Sequence, residues 1–192
     1  PTRKITKKEY SNGEVYIGEV NNKVDPYGNG KYIDPNGDVY VGESIHGERP
    51  EGFGVYFWSN GSTYAGDLKW FDKSFNNHEF GVHTEVRGKE TIEYIGNWKN
   101  NALHGKGKVI NSNGSSLEDK FKEGFMHGYG IEKKRNGEIY EGEFKKDKYH
   151  GKGTYTWPNG KKIEGIWKDG VIQKKIKGNS KNYIDSSWRK DK

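Results

Sequence analysis

The sequence predicts an all-β protein, an elongated single-layer antiparallel sheet of consecutive β-hairpins, and three observations predict it. Asn-Gly recurs at residues 12, 36, 60, 113, 136 and 159, with spacings of 24, 24, 53, 23 and 23. A Tyr-x-Gly triplet follows most of these turns, at Tyr16/Gly18, Tyr40/Gly42, Tyr64/Gly66, Tyr94/Gly96 and Tyr140/Gly142. A second glycine pair comes further on, at Gly28/Gly30, Gly52/Gly54, Gly105/Gly107, Gly128/Gly130 and Gly151/Gly153. Between the turns bulky and polar side chains alternate, which is the period of an extended chain.

The elements follow in order. Residues 1–13 read as a lead-in strand. Residues 14–172 read as an array of six full units and a partial seventh, with Leu117/Asp119 and Ile163/Gly165 as variant triplets and one degenerate unit inside the 53-residue gap. In the cleanest unit, residues 140–160, Tyr140, Gly142 and Phe144 share one face while Glu141, Glu143 and Lys145 take the other. On the return strand Gly151, Gly153, Tyr155 and Trp157 oppose Lys152, Thr154 and Thr156. A helix would scatter these groups around its circumference and would tolerate neither so many glycines nor Pro158. Asn-Gly between alternating segments predicts a type I′ turn, with positive φ at both central residues. Lys145–His150 and its equivalents form a longer turn at the opposite end of each hairpin. Pairing consecutive hairpins gives about 13 strands and, at roughly 4.8 Å per strand, a long axis of about 60 Å.

Residues 173–192 leave the repeat and carry seven Lys/Arg against two Asp. They read either as a disordered basic tail or as a short helix capped by Ser180, with Tyr183, Ile184, Ser187 and Trp188 lying against the open end of the sheet.

Composition bounds the function. The chain has 192 residues, 28 Gly, 14% aromatic residues, a net charge of +6 and a mean hydropathy of -1.14. Ile, Leu, Val and Phe total only 35, so aromatic rings and backbone pairing must replace an ordinary aliphatic core. That does not fit a three-layer enzyme domain. There is no Cys, hence no disulfide framework or thiolate metal site. No apolar run approaches the roughly 20 residues of a membrane span, and no signal pattern opens the chain, so a soluble cytoplasmic protein is expected. Met126 is the only Met, which leaves the chain a fragment or shorn of its initiator. Residues 16–172 carry 22 Lys/Arg against 23 Asp/Glu, so only the tail offers an anion-attracting surface and nucleic acid is not an expected partner.

The pattern Tyr-x-Gly-x-Trp/Phe followed by His-Gly-x-Gly resembles the MORN repeat (membrane occupation and recognition nexus). Residues 140–160 match it almost throughout, residues 94–107 match well, and the likeness runs from about residue 14 to 170. The resemblance implies a curved or twisted sheet of hairpins used as a scaffold or binding module, sometimes linked to membranes, phosphoinositides or the cytoskeleton, with end-to-end homodimers as a further implication. The third unit departs from the pattern: Glu79 stands where the first glycine belongs, Asn-Gly is missing, and an extra turn reads WFDKSFNN. In the fourth and fifth units Val109, Asn111, Glu132 and Lys134 replace rings, which predicts a more polar groove there.

A single-layer sheet has nothing to cover its ring-bearing face, which must pack on itself and can also grip a partner. The leading expectation is a non-catalytic scaffold binding an extended or helical segment of another protein on that face. The residues expected to carry it are Tyr40, Tyr56, Trp58, Tyr64, Trp98, Tyr140, Phe144, Tyr155 and Trp157, with Trp70 and Phe75 of the extra turn either docking the partner or folding back over the sheet. One alternative is an acidic phospholipid surface attracted to Lys174, Lys175, Lys177 and Lys181 at about 1 kcal/mol per basic residue. Another is a regulatory region of a larger enzyme. No cofactor is expected, and no metal: His104, His127 and His150 recur two strands apart, about 9.6 Å, against about 2 Å from a zinc ion to each ligand nitrogen. Gly151-Lys152-Gly153 lacks the spacing and the following helix of a phosphate loop.

Overall fold

The computed structural model describes residues 4–44, 52–71 and 74–178, of which 70, 71, 74–76, 78, 177 and 178 are described through their backbone alone. Alternation turns these residues into strands. The first five are β1 (Lys4–Glu9), β2 (Val15–Val20), β3 (Pro26–Ile33), β4 (Val39–Ser44) and β5 (Gly52–Phe57). Then come β6 (Thr63–Phe71), β7 (Ser74–Arg87), β8 (Glu90–Lys99), β9 (Ala102–Asn111) and β10 (Ser116–Lys122). The last are β11 (Phe125–Lys133), β12 (Ile139–Lys145), β13 (Lys148–Thr156), β14 (Lys162–Lys168) and β15 (Val171–Gly178). All pair antiparallel with their chain neighbours in one sheet of order β1 to β15. Among the described residues there is no helix. The meander is longer than the thirteen strands expected, because the lead-in strand joins it and β15 carries it past residue 172 to Gly178. The helix expected after Ser180 lies outside the described residues.

The register lines like residues into rows across the sheet. One row runs Gly18, Gly30, Gly42, Gly54, Gly66, Gly81 and Gly96 through successive strands. It continues Gly107, Asp119, Gly130, Gly142, Gly153 and Gly165, interrupted only at Asp119. The neighbouring row on the same face is Tyr16, Tyr32, Tyr40, Tyr56, Tyr64, His83 and Tyr94. Four repeat tyrosines, Tyr16, Tyr40, Tyr64 and Tyr140, lie down over the glycine pair beside them. A Cβ placed on Gly18 would come within 2.5 Å of both the Gly30 Cα and the Tyr16 hydroxyl, and a Cβ on Gly54, Gly81 or Gly153 would likewise strike the ring of Tyr40, Tyr64 or Tyr140. Lying flat, the ring sends its hydroxyl to the carbonyl three residues on: Tyr16 donates to Glu19 at 2.6 Å, Tyr40 to Glu43 at 3.0 Å, Tyr64 to Asp67 at 3.1 Å and Tyr140 to Glu143 at 3.1 Å. The register shifts at three of these carbonyls, between Gly18 and Val20, Gly66 and Asp67, and Gly142 and Phe144, so β-bulges turn them toward the phenols.

Burying such a ring is worth about 2–3 kcal/mol, and the core consists mainly of them. Tyr16, Tyr40, Tyr64 and Tyr140 are fully buried with Met126, and Trp98, Phe121, Phe144 and Trp167 fill the next row. Two tryptophans tie the rows to the backbone: Trp98 Nε1 donates to the Gly81 carbonyl and Trp167 Nε1 to the Gly153 carbonyl, both at 3.0 Å.

The turns differ from the expectation. At the Asn-Gly ends only the glycine has positive φ, 86° at Gly13, 91° at Gly37 and 79° at Gly160, for example. Gly37 N donates to Asp34 O and Asp34 N to Asp38 O, both at 2.9 Å, which is a type I turn followed by a left-handed residue: a three-residue loop, not a type I′ turn. Asn is favoured there because its Oδ1 accepts the N–H two residues on, as Asn36 does from Asp38 at 3.0 Å and Asn159 from Lys161 at 3.0 Å. The type I′ geometry sits at the other end, in the turns expected to be long. Lys146 and Asp147 have φ of 49° and 62°, Asn100 and Asn101 of 51° and 62°. These tight turns also join successive hairpins, with Gly124 N donating to Leu103 O at 3.0 Å and Gly170 N to Tyr149 O at 2.9 Å.

The glycine missing from the third unit leaves strain behind. Glu79 takes φ 51° where Gly105, Gly128 and Gly151 take 82°, 89° and 58°. A left-handed conformation costs a residue with a side chain about 1–2 kcal/mol. Glu79→Gly should therefore raise the stability by about 1 kcal/mol in urea unfolding. Gly153→Ala should lower it by about 3 kcal/mol, because the methyl displaces the Tyr140 ring.

Burial pushes the Tyr16 phenol up to about 12, and it raises Tyr40, Tyr140 and Tyr149 further in the same direction. A phenol ionises near pH 10 once the chain unfolds, so the unfolded state loses protons first. The stabilisation is whole below pH 10 and drains away as pH rises from there through the folded-state values. A steep alkaline unfolding above pH 10 should result, with phenolate absorbance and loss of strand signal rising together; tyrosine ionisation well ahead of unfolding would contradict this packing.

Candidate functional site

The eleven residues singled out by the sequence separate into three groups. Tyr40, Tyr56, Tyr64, Trp98, Tyr140 and Phe144 are at most 7% exposed and hold the sheet together. Trp58 and Tyr155 are half-buried, and Trp157 is 38% exposed. Trp70 and Phe75 lie opposite one another in the β6–β7 register, so the extra residues lengthen a hairpin arm rather than make a loose turn; their side chains lie outside the description. What remains accessible of the ring-bearing face falls at two places.

The first lies around β5 to β8. Trp58 packs on Tyr56 at 4.9 Å and on His83 at 5.2 Å between centroids, and His83 meets Tyr94 at 5.8 Å. His83 escaped the sequence reasoning, although it occupies the register position where tyrosine stands in Tyr64 and Tyr94 on either side. Burial lowers the His83 pKa, with Glu85 opposing weakly, so the imidazole is neutral at pH 7. Tyr94 donates to Glu85 Oε2 at 3.1 Å, and Arg87 grips the same carboxylate through Nε at 2.8 Å and Nη2 at 3.0 Å. The Arg87 hydrogen bond leads in lowering the Glu85 pKa. On the neighbouring rim, burial of Asp38 would raise its pKa, but hydrogen bonds from the Ser59 N–H, the Asn36 amide and the Tyr56 hydroxyl outweigh it and the net shift is downward.

The second place lies around β11 to β14. Tyr149 stacks on Tyr140 with centroids 3.7 Å apart and planes 10° from parallel, Tyr155 meets Trp157 at 5.0 Å, and Tyr155 lies 6.2 Å from Trp167. Lys134 caps the cluster, 5.4 Å above the Tyr155 ring and 5.9 Å above Tyr149, while bridging to Glu138 at 3.4 Å. Glu132, the ring-replacing carboxylate, accepts the Tyr149 hydroxyl. The polar substitutions of this stretch thus serve neighbouring phenols.

Between the two places the register row holds Val109 and Leu117. A shallow hollow of about 250 Å³, lined by Lys106, Gly107, Glu118, Asp119 and Ile131, lies away from both ring clusters. Lys174 pairs with Ile166 and Lys175 with Gly165, which puts these lysines on opposite faces of the sheet. Lys177 is described by its backbone alone, and Lys181 lies outside the described residues. Among the described residues no three His, Cys, Asp or Glu side chains gather as a metal site would require.

Comparison with known proteins adds the following. The family model described as MORN repeat matches residues 28–39, 40–63, 94–116, 120–139 and 140–162. No curated protein matches the chain. Among solved structures, it is similar to the SAS-4 (dCPAP) TCP domain in complex with a proline-rich motif of Ana2 (dSTIL) of Drosophila melanogaster, with 12% identity, 90% of each chain covered and a TM-score of 0.26.

Proposed function

The chain belongs to the MORN-repeat family, and from that premise we propose that it is a non-catalytic scaffold that holds a segment of a partner protein on its ring-bearing face. One observation carries the reading. After the core has taken six of the predicted rings, Trp58 and Trp157 still keep surface, one in each of the two accessible ring clusters. Large rings with one side packed and one side free form contact area at little entropic cost, which is why they dominate binding hot spots.

The spacing sets the partner's length. Trp58 sits beside β5 and Trp157 beside β13, eight strands apart, or about 38 Å before twist is considered. A helix of about 25 residues spans that distance, with Val109 and Leu117 beneath its middle and the Lys134–Glu138 pair beside one end.

The double variant Trp58→Ala/Trp157→Ala tests the reading. Partner retained from extract by the immobilised chain should fall at least tenfold, with near-ultraviolet dichroism of the buried rings unchanged. Equal retention by a folded double variant would refute the site. Sedimentation with acidic phospholipid vesicles that fades with salt, and that is lost in Lys174→Gln/Lys175→Gln, would place the interaction on β15 instead.

A further inference from the structure

The two accessible ring clusters are built on the same frame. Between β11 and β12 an Asn-Gly turn runs from Lys134 to Glu138, closed by Lys134 N donating to Glu138 O at 2.8 Å and Gly137 N to Lys134 O at 2.9 Å. Between β3 and β4 the matching turn runs from Asp34 to Asp38, closed by the same two bonds, both at 2.9 Å. Each turn meets a tyrosine–tryptophan pair carried by the strand that follows, Tyr155 with Trp157 and Tyr56 with Trp58, at centroid distances of 5.0 and 4.9 Å. The register sets Tyr155 across from Tyr140 and Tyr56 across from Tyr40, so Asp34, Asp38, Tyr56 and Trp58 take the places of Lys134, Glu138, Tyr155 and Trp157.

One side chain differs in sign. In the later cluster the Lys134 ammonium lies 3.4 Å from the Tyr155 hydroxyl, 3.4 Å from Glu138 Oε2 and 5.4 Å above the Tyr155 ring. In the earlier one the equivalent hydroxyl meets carboxylates, with Tyr56 Oη 3.0 Å from Asp34 Oδ2 and 3.4 Å from Asp38 Oδ2. A phenol has one proton and donates to one of them at a time. Asp38 has further donors in the Ser59 N–H at 2.8 Å and the Asn36 amide at 3.0 Å. Among the described residues the Asp34 carboxylate has the Tyr56 hydroxyl alone.

No basic side chain balances the pair. Beside Asp34 and Asp38 on this face stand Glu14, Tyr32, Tyr40, Tyr56 and Trp58. The nearest described cations are committed elsewhere: Lys8, diagonal to Glu14, lies 5.1 Å above the Tyr10 ring, and Arg87 holds Glu85 through two hydrogen bonds. Lys31, close in sequence, pairs with Val41 on the opposite face.

We propose that Asp34 and Trp58 are the recognition point for a lysine or arginine of the partner segment, which does at this cluster what Lys134 does within the chain at the other. The cation rests on the free side of the Trp58 indole and pairs with the Asp34 carboxylate, contacts that suit a guanidinium best. This rests on the reading that the partner lies on the ring-bearing face, and it gives the segment a polarity. Its basic end lies at Trp58, because at Trp157 the chain already presents Lys134 and, across the turn, Lys161.

The test uses two fluorescently labelled amphipathic helical peptides of about 25 residues, alike except that one carries three arginines in its first turn where the other has glutamines. Titrated with the whole chain, the arginine peptide should bind at least tenfold more tightly, an advantage that shrinks as salt is added. Asp34→Asn and Asp34→Lys should each erase the advantage and leave the glutamine peptide's affinity unchanged. Asp34→Lys copies a turn the chain already folds around Lys134, so the near-ultraviolet dichroism should be preserved. Glu141→Gln, which makes the same change in net charge as Asp34→Asn but on the opposite face, should keep the advantage. Equal binding of the two peptides by the wild-type chain, an advantage that survives Asp34→Lys, or one lost equally in Glu141→Gln would overturn the cation site while leaving the ring-bearing face in place. Binding of both peptides that ignores Trp58→Ala/Trp157→Ala, or no binding of either by the folded wild-type chain, would overturn both.

Discussion

The structure depends on two backbones approaching closely enough for one phenol to lie across both. Facing glycines allow it: with no Cβ on Gly18 or Gly30, the Tyr16 ring settles onto the paired main chains and its hydroxyl reaches the Glu19 carbonyl. In a two-layer protein a sheet buries its apolar face against a second element. Here the second layer is the rings themselves, one deep, packed edge to edge at centroid distances such as 4.7 Å for Tyr16–Tyr32 and 5.4 Å for Tyr140–Trp167. This explains how a chain so poor in aliphatic residues closes a core.

Ring and glycine are coupled, and the exceptions show it. Asp119 interrupts the glycine row at φ 120°, a backbone region nearly reserved for glycine, and its strand is also the one in which Leu117 replaces tyrosine. Without a phenol to accommodate, the glycine loses its packing reason. Gly165 follows the same logic: Ile163 replaces tyrosine in its strand, and the Ile172 side chain closes over it instead. Met126 does this over Gly130, which is why a flexible thioether is fully buried there.

Much of this was legible in the sequence, for definite reasons. The period-two alternation fixed which of Tyr140, Gly142, Gly153 and Tyr155 share a face, and the register confirms that they meet. The turn types were not legible, since Asn-Gly serves a type I′ turn and a type I turn with a left-handed glycine equally well. What decides between them is the Asn Oδ1 hydrogen bond and the loop length, neither of which composition reveals. The ring-bearing face was expected to pack on itself, but which rings it hides completely was not legible. Tyr40, Tyr64 and Tyr140 look like exposed recognition rings in a one-layer sheet, and only the glycine-permitted flat packing hides them. The charged appearance of residues 140–160 also concealed that the other side of β4 to β8 is apolar, because no single repeat shows a row that runs across five strands.

The two faces answer to different constraints. On the tyrosine side nearly every position is tied to a neighbour, so its sequence follows from the fold. On the other side no layer packs among the described residues; solubility favours charge there, and Lys106, Glu118, Glu141, Lys152 and Glu164 supply it in the second half, with Tyr129, Ile131 and Ile166 between them. A sheet edge or face left apolar in water invites association, and the protein guards its edges accordingly: Lys4, Lys7 and Lys8 line β1, and Lys174 and Lys175 line β15. No charge interrupts the row Val41, Val55, Ala65, Val82 and Ile95, and the charges of that face on these strands, Glu43, Asp67 and Lys69 among them, are set to one side of it. Packing of the tyrosine face therefore does not dictate that row, because successive residues of a strand point to opposite sides and answer to different neighbours.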